Sequence, residues 1–149
     1  MKDKALVGFI SGMLAAVGSD IVNWIFYLTT HEGKRFLDWA SIISLGHLPQ
    51  SLGELIVTHL ALLIWDGLMG VLFVLLIPYI KPNHLVYKGI LFSFALLFVF
   101  RAITILLRVQ GLESISLVVF LSQVACSIIW GALAGLSIKK FNIFPENTD

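Results

Sequence analysis

The fold of this chain is decided above all by residues 55–80, LIVTHLALLIWDGLMGVLFVLLIPYI. This stretch exceeds the roughly 20 apolar residues that an α-helix needs to cross the hydrocarbon core of a bilayer. Three similar stretches accompany it, and together they predict spans over residues 5–29, 55–80, 86–108 and 115–138. The sequence therefore predicts an all-α protein, a transmembrane four-helix bundle formed by one integral membrane domain over residues 1–149.

Residues that begin and end helices flank these spans. Ser51 and Glu54 form a capping box before the second span, Pro78 and Pro82 mark its exit, and Asn83 can cap the third. The connections on either side of the third span are short, and short connections join antiparallel neighbours. The predicted topology is therefore up-down-up-down.

The composition excludes most other classes of protein. The chain is 58% hydrophobic and 13% charged, whereas a soluble domain carries about 25% charged residues. With a net charge of only +1, no basic stripe exists to bind nucleic acid. The single cysteine, Cys126, cannot form a disulfide framework. The expected surroundings are a lipid bilayer.

Positive charges at the span ends predict the orientation, since Lys and Arg are retained on the cytoplasmic side. One side carries Lys2, Lys4, Lys81, Lys88, Lys139 and Lys140, and the other carries Lys34, Arg35 and Arg108. This distribution places both termini inside, in what we expect to be a bacterial cytoplasmic membrane.

Residues 30–54 form the only long connection. Phe36, Trp39, Ala40 and Ile43 recur there at helical spacing. Two interpretations stay open: a short helix in the outer membrane interface, or an ordered loop packed over the mouth of the bundle.

Each span carries one stripe of small or polar residues, and these stripes are the predicted inward faces. The glycines assigned to helix packing are Gly8, Gly12, Gly70 and Gly135. The polar residues predicted to cluster near the midplane or in the outer half are Asp20, Asn23, His59, Asp66, Arg101 and Gln123.

Three of these residues carry full charges, which persist at bilayer depth only when they are compensated. We therefore expect Arg101 at the centre of the cluster, paired with Asp20, Asp66 or both. Such an ion cluster can be a clamp that fixes helix register. The alternatives are a site for a proton, an ion or a solute, or part of a surface that binds a partner.

The sequence contains no pattern that names a reaction or a cofactor. The sequence lacks a nucleophile elbow, a zinc-protease motif and a phosphate-binding loop. We therefore do not expect an enzyme. A haem would need paired axial ligands, and His59 has no second histidine within a span. A metal site built from His59, Asp66 and Asp20 matches no known spacing. We expect no metal and no cofactor.

Two halves of the chain show internal similarity. The heptapeptide WDGLMGV, residues 65–71, resembles WGALAGL, residues 130–136, and aligning Gly8 with Gly89 places Asp20 over Arg101. This pattern is typical of a parallel repeat of two hairpins about an axis along the membrane normal.

A few scattered features resemble a group of uncharacterised four-span membrane proteins from Gram-positive bacteria. They are Gly8 to Gly12, Asp38-Trp39, Leu68, Gly70, Phe73 and Lys88-Gly89. The resemblance implies the same four-span fold and assigns no activity.

Three functional hypotheses follow. The first is a scaffold or accessory subunit that associates laterally, with Gly8 and Gly12 facing another protomer. The second is a small transporter or channel that uses the polar cluster, as a homo-oligomer because four helices form a poor pore. The third is binding of lipid or a small apolar ligand in the outer leaflet, beside Trp39.

Overall fold

The computed structural model describes residues 3–31, 35–80 and 83–141, and within these ranges every regular element is a helix. The helices are α1 Lys4–Thr30, α2 Phe36–Leu45, α3 Leu52–Ile80, α4 Leu85–Leu106 and α5 Leu117–Phe141. All except α2 are long and apolar enough to cross a membrane. The predicted all-α class and the four long apolar helices are confirmed, and their ends shift by no more than three residues.

Polar side chains cap the starts of three long helices, as the chemistry of free N–H groups requires. Asp3 accepts hydrogen bonds from first-turn N–H groups of α1 at 2.9 and 3.2 Å. Ser51 Oγ accepts from Glu54 N at 3.2 Å, and the Glu54 carboxylate accepts from Gln50 N at 2.8 Å. Ser116 Oγ accepts from a first-turn N–H of α5 at 3.3 Å. The predicted start of α3 at Ser51 and Glu54 is confirmed.

Two residues that were predicted to mark helix ends, Pro78 and Asn83, do not do so. Pro78 lies inside α3, which continues beyond it, and Pro82 lies outside the described residues. Asn83 does not cap α4, because the N-cap residue is His84 with a φ of 53°. The Asn83 side chain instead accepts a hydrogen bond from Lys88 Nζ at 2.7 Å.

α1 and α3 cross with their backbones in direct contact. A Cβ built on Gly12 would come within 3.0 Å of the Asp66 carbonyl oxygen, and one on Gly70 would lie 2.8 Å from Gly12 N and Cα. Gly8 makes the equivalent contact one turn along, with the carbonyl of Gly70 and the Cα of Val71. Early residues of α1 therefore meet late residues of α3, and the two helices are antiparallel.

α4 and α5 cross in the same manner. A Cβ on Gly131 would lie 2.5 Å from the Ile90 Cα, and one on Gly135 would lie 2.6 Å from the Leu85 carbonyl oxygen. Gly89 faces the Gly131 carbonyl at the centre of the crossing. This pair is also antiparallel, with a glycine-lined contact like that of α1 and α3.

The two crossings follow one pattern, but their register differs from the sequence alignment. The Asp66 carbonyl faces Gly12, and its aligned counterpart, the Gly131 carbonyl, faces Gly89. The packing thus equates Gly12 with Gly89, one helical turn from the alignment that equated Gly8 with Gly89. This shift places Trp24, and not Asp20, over Arg101.

The two pairs join through α1 and α5, which pack along their length. Trp130 of α5 lies against Ala15 and Ala16 of α1. We call the end where α1 begins and α5 finishes the termini end, and the opposite end the α2 end. The short helix α2 packs against α3, and its Trp39 ring lies 5.6 Å from the ring of Phe100 in α4. The long connection thus contains a helix, which buries one face against α3 and reaches α4 through Trp39.

An apolar cluster fills the termini end. The Phe73 and Phe92 rings stack there with centroids 5.1 Å apart, bridging α3 and α4. The buried members of this cluster are Phe73, Val74, Ile77, Leu85 and Ile138. The buried polar side chains of the described residues lie in the middle and toward the α2 end.

Candidate functional site

The start of α2 is fixed by side chains of two different helices. Asn23 of α1, one of the predicted cluster residues, accepts a hydrogen bond from Phe36 N at 2.8 Å. Asp38 accepts from Arg35 N at 2.8 Å, and its two oxygens take the guanidinium at 2.8 and 3.1 Å. These bonds satisfy N–H groups that have no partner within the helix.

Arg35 also stacks on aromatic rings of α1. Its guanidinium carbon lies 4.8 Å from the Trp24 ring and 5.1 Å from the Tyr27 ring. The hydrogen bond to Asp38 raises the pKa of the Arg35 guanidinium above its ordinary value. Arg35 therefore stays charged and ties α2 to α1 by ion pairing and cation–π contact together.

A second polar group lies deeper, between α1 and α3. His59 Nε2 is 3.4 Å from Asp20 Oδ2, and the two side chains are 43% and 12% exposed. Asp66 lies within electrostatic range of Asp20. Arg35 interacts with Asp20 as well, although its own carboxylate partner is Asp38. Asp20 and His59 thus form a pair, and Asp66 lies about 10 Å, or two turns, along α3 from His59; we call these three predicted residues the carboxylate cluster.

Arg101 does not join this cluster, so the predicted Asp–Arg–Asp arrangement is wrong. Its guanidinium donates to the carbonyls of Leu112 and Glu113 at 2.6 and 3.2 Å, in the connection between α4 and α5. The same guanidinium lies 5.6 Å from the Trp39 ring. Arg101 is close enough to the end of α4 to reach backbone oxygens, which accept the hydrogen bonds of its guanidinium.

This position predicts how Arg101 variants behave. Arg101→Ala should leave two loop carbonyls unpaired and the Trp39 ring uncovered, lowering stability by about 2 kcal/mol. Arg101→Lys should lose less stability, because the ammonium keeps the positive charge. It should still lose some, because it lacks the planar guanidinium that reaches both carbonyls. Unfolding in SDS, monitored by circular dichroism, measures both. Equal losses in the two variants would contradict a role for the fork.

Side chains from α5 border the carboxylate cluster. The Cys126 thiol donates to the Ser19 carbonyl at 3.5 Å and interacts with Asn23 and Asp20. The Trp130 indole lies beside the Asp66 carboxylate, although its N–H does not reach hydrogen-bond geometry with any described group. Gln123, the last of the predicted residues, is buried one turn from Cys126.

Sequence reasoning missed Arg35, Asp38, Cys126 and Trp130 as members of this region. The first two carried a usable signal, because an Asp three residues after a helix N-cap is an N-terminal capping pattern. Cys126 and Trp130 carried none, since both also occur as ordinary core residues. Among the described residues, no three His, Cys, Asp or Glu side chains stand close enough to hold a metal ion.

Comparison with known proteins assigns no function to these residues. No family model matches the chain, and neither a curated protein nor a solved structure matches it. The resemblance to four-span proteins of Gram-positive bacteria stays a prediction. Function has to be inferred from the carboxylate cluster itself.

Proposed function

We propose that this protein is a small transporter of the membrane, in which the carboxylate cluster binds and releases a proton. The observation that carries the proposal is the pairing of Asp20 with His59, two turns along α3 from Asp66, while Arg101 lies elsewhere. Without Arg101, the interpretation of the cluster as a permanent ionic clamp loses its cation.

The charges of the cluster explain why a proton is the expected cargo. Arg35 and Asp38 neutralise each other, which leaves two carboxylates against one histidine. From α5, the facing titratable group is the Cys126 thiol. A charge near the bilayer centre costs at least about 2.5–3.5 kcal/mol. The two carboxyl groups and the imidazole are neutral together when they hold two protons, so losing one proton leaves a negative charge that another cation can balance.

The membrane arrangement belongs to this proposal. The four long helices form an up-down-up-down transmembrane bundle with both termini in the cytoplasm, in a bacterial cytoplasmic membrane. Supporting it, the surface of α1 presents an apolar face at helical spacing, formed by Ile10, Leu14, Val17, Ile21 and Ile25. Cysteines placed at Lys4 and His47 test the orientation by labelling intact cells with a membrane-impermeant maleimide, after Cys126→Ser.

The lateral scaffold is less well supported than transport. Gly8 and Gly12 contact α3 of the same chain, so this stripe does not face a second protomer. Homo-oligomers and retained lipid, the other proposed partners, are both measured by native mass spectrometry from lipid nanodiscs.

Proton flux into liposomes tests the proposal directly. Purified protein is reconstituted with a pH-sensitive dye inside, and a pH gradient is imposed with and without a sodium or potassium gradient. We expect flux above that of protein-free liposomes, and Asp66→Asn should lower it to the protein-free rate. Glu113→Gln is the matched control, since it removes an exposed carboxylate outside the cluster and should leave the flux unchanged.

Circular dichroism and gel filtration establish that each variant is folded. Flux that follows sodium or potassium and not protons would identify a metal cation as the cargo. Wild-type protein that performs like protein-free liposomes under every gradient would refute transport and favour the accessory-subunit hypothesis.

A further inference from the structure

The space between α3 and α4 widens from the termini end toward the α2 end. At the termini end, Phe73 of α3 and Leu85 of α4 are both buried. Leu85, Phe92 and Val99 share one face of α4, yet Val99 is 56% exposed. Over the described ranges, α3 and α4 do not pack along their length as α1 packs with α3 and with α5. A cleft between α3 and α4 therefore opens to the side of the bundle.

The internal repeat shows what keeps this cleft open. Trp130 of α5 is buried because it packs on Ala15 and Ala16 of α1. In the register of the two glycine crossings, the counterpart of Trp130 is Trp65 of α3, and the counterpart of Ala15 is Phe92 of α4. Small residues allow helices to approach closely, and the ring of Phe92 does not. Trp65 consequently stays 52% exposed.

One carboxylate lies in the wall of the cleft. Asp66 comes seven residues before Phe73 on the same face of α3. Val99 comes seven residues after Phe92 on the antiparallel helix α4, so Asp66 and Val99 both lie about 10 Å from the stacked rings of Phe73 and Phe92. Asp66 is partly exposed, and the indole of Trp130 lies beside its carboxylate. The cleft thus combines an acidic group with aromatic and aliphatic side chains.

The charges around Asp66 are complementary to a cation. Arg35 at the start of α2 is paired with Asp38, and Arg101 at the far end of α4 bonds to loop carbonyls. An ionised Asp66 therefore has no paired cation among the described residues. The other titratable groups that face it lie toward the α2 end, and they are Asp20 of α1, His59 of α3 and Cys126 of α5.

We propose that the cleft between α3 and α4 binds an organic cation with an apolar body, which enters sideways from the bilayer. The ends of the cleft are covered, by the Phe73–Phe92 stack at one end and by α2 at the other, where Trp39 reaches Phe100. The cation pairs with the Asp66 carboxylate while aromatic rings attract it by their faces, and the proton of Asp66 leaves to water. This inference rests on the proposed function, for which it names the cation exchanged for the proton.

Binding of two hydrophobic ions tests the cleft without any transport measurement. Tetraphenylphosphonium and tetraphenylborate have nearly the same size and shape but opposite charge. Each is added to detergent-purified protein in weak buffer, with bound ion measured by equilibrium dialysis and released protons by an indicator dye. We expect saturable binding of tetraphenylphosphonium with release of a proton, and no saturable binding of tetraphenylborate. Asp66→Asn should bind tetraphenylphosphonium at least about tenfold more weakly and release no proton.

Two tryptophan variants that retain Asp66 test the location of the site. Val99→Trp fills the cleft at the height of Asp66. Phe98→Trp is the matched control, because Phe98 is 60% exposed and lies on a different face of α4. We expect Val99→Trp to weaken tetraphenylphosphonium binding at least about tenfold and Phe98→Trp to leave it unchanged. Equal affinities in the two variants would overturn the location. Equal binding of both ions to the wild-type protein would overturn selectivity for a cation.

These results separate the cleft site from the proposed function. If the protein carries protons into liposomes but tetraphenylphosphonium neither binds nor displaces a proton, the cleft site is wrong and proton transport stands. If tetraphenylphosphonium binds and displaces a proton but no gradient drives flux, the cleft site stands and transport is wrong.

Discussion

Gly12→Ala will strongly destabilise the protein. The new Cβ would come within 3.0 Å of the Asp66 carbonyl oxygen, and the atoms that must yield belong to the α3 backbone. Overpacking of a close contact typically costs about 1–3 kcal/mol of stability. Because the α3 backbone cannot rotate away as a side chain can, we expect a loss near the upper end of this range. The α1–α3 crossing must open, and the carboxylate cluster opens with it.

Gly53→Ala is the matched control for this prediction. Gly53 also lies in α3, yet the nearest atom to an added Cβ is Ser51 Oγ at 3.8 Å. Removing a flexible glycine from a helix should raise stability by about 0.5–1 kcal/mol. Unfolding titrations in SDS, followed by circular dichroism, compare the two variants. A Gly12→Ala protein as stable as the Gly53→Ala protein would show that the helices do not touch at Gly12.

Asp38→Ala should release α2 from the rest of the protein while the four long helices stay folded. Asp38 is buried and accepts three hydrogen bonds from Arg35. Its removal leaves the Arg35 guanidinium without a carboxylate, and losing one partner of a largely buried pair costs about 3 kcal/mol. Hydrogen exchange followed by mass spectrometry should show lost protection over residues 36–45 and retained protection in α5.

A double variant distinguishes the effect of breaking the Arg35–Asp38 ion pair from the effect of removing side-chain volume. Removing Arg35 as well, in Arg35→Ala/Asp38→Ala, takes away the uncompensated charge, so α2 should regain part of its protection. Asp38→Asn keeps the size of the side chain and should fall between wild type and Asp38→Ala. Exchange in the double variant that equals the sum of the two single effects would exclude coupling between Arg35 and Asp38.

Hydropathy was sufficient to predict the four long helices, because length and apolar composition alone decide whether a helix can cross a bilayer. Small residues also indicated where helices come close, since Gly12 and Gly70 have no side chain to keep backbones apart. The register between the two halves could not be predicted. A shift of one helical turn keeps the same face inward. The sequence therefore could not distinguish the alignment of Gly8 with Gly89 from the alignment of Gly12 with Gly89 that the packing shows.

The partner of Arg101 was beyond sequence reasoning for a different reason. Depth and helical face placed it within reach of carboxylates, but they also placed it within reach of the carbonyls of Leu112 and Glu113. Backbone acceptors are present at every position and leave no mark in the sequence. The burial of α2 was equally hidden, because Asp38 and Ser41 look like surface residues until their partners, Arg35 and the His47 carbonyl, are known.

The position of α2 determines the order in which the chain can assemble. This helix is the second to be synthesised, yet its surroundings include Asn23 from α1, α3, and Phe100 and Arg101 from α4. Its docking surface is therefore incomplete until α4 has left the ribosome. A nascent chain that has emerged only as far as residue 84 should expose α2 to protease, and one that has emerged past residue 113 should protect it. The helix made second takes its final place near the end of synthesis.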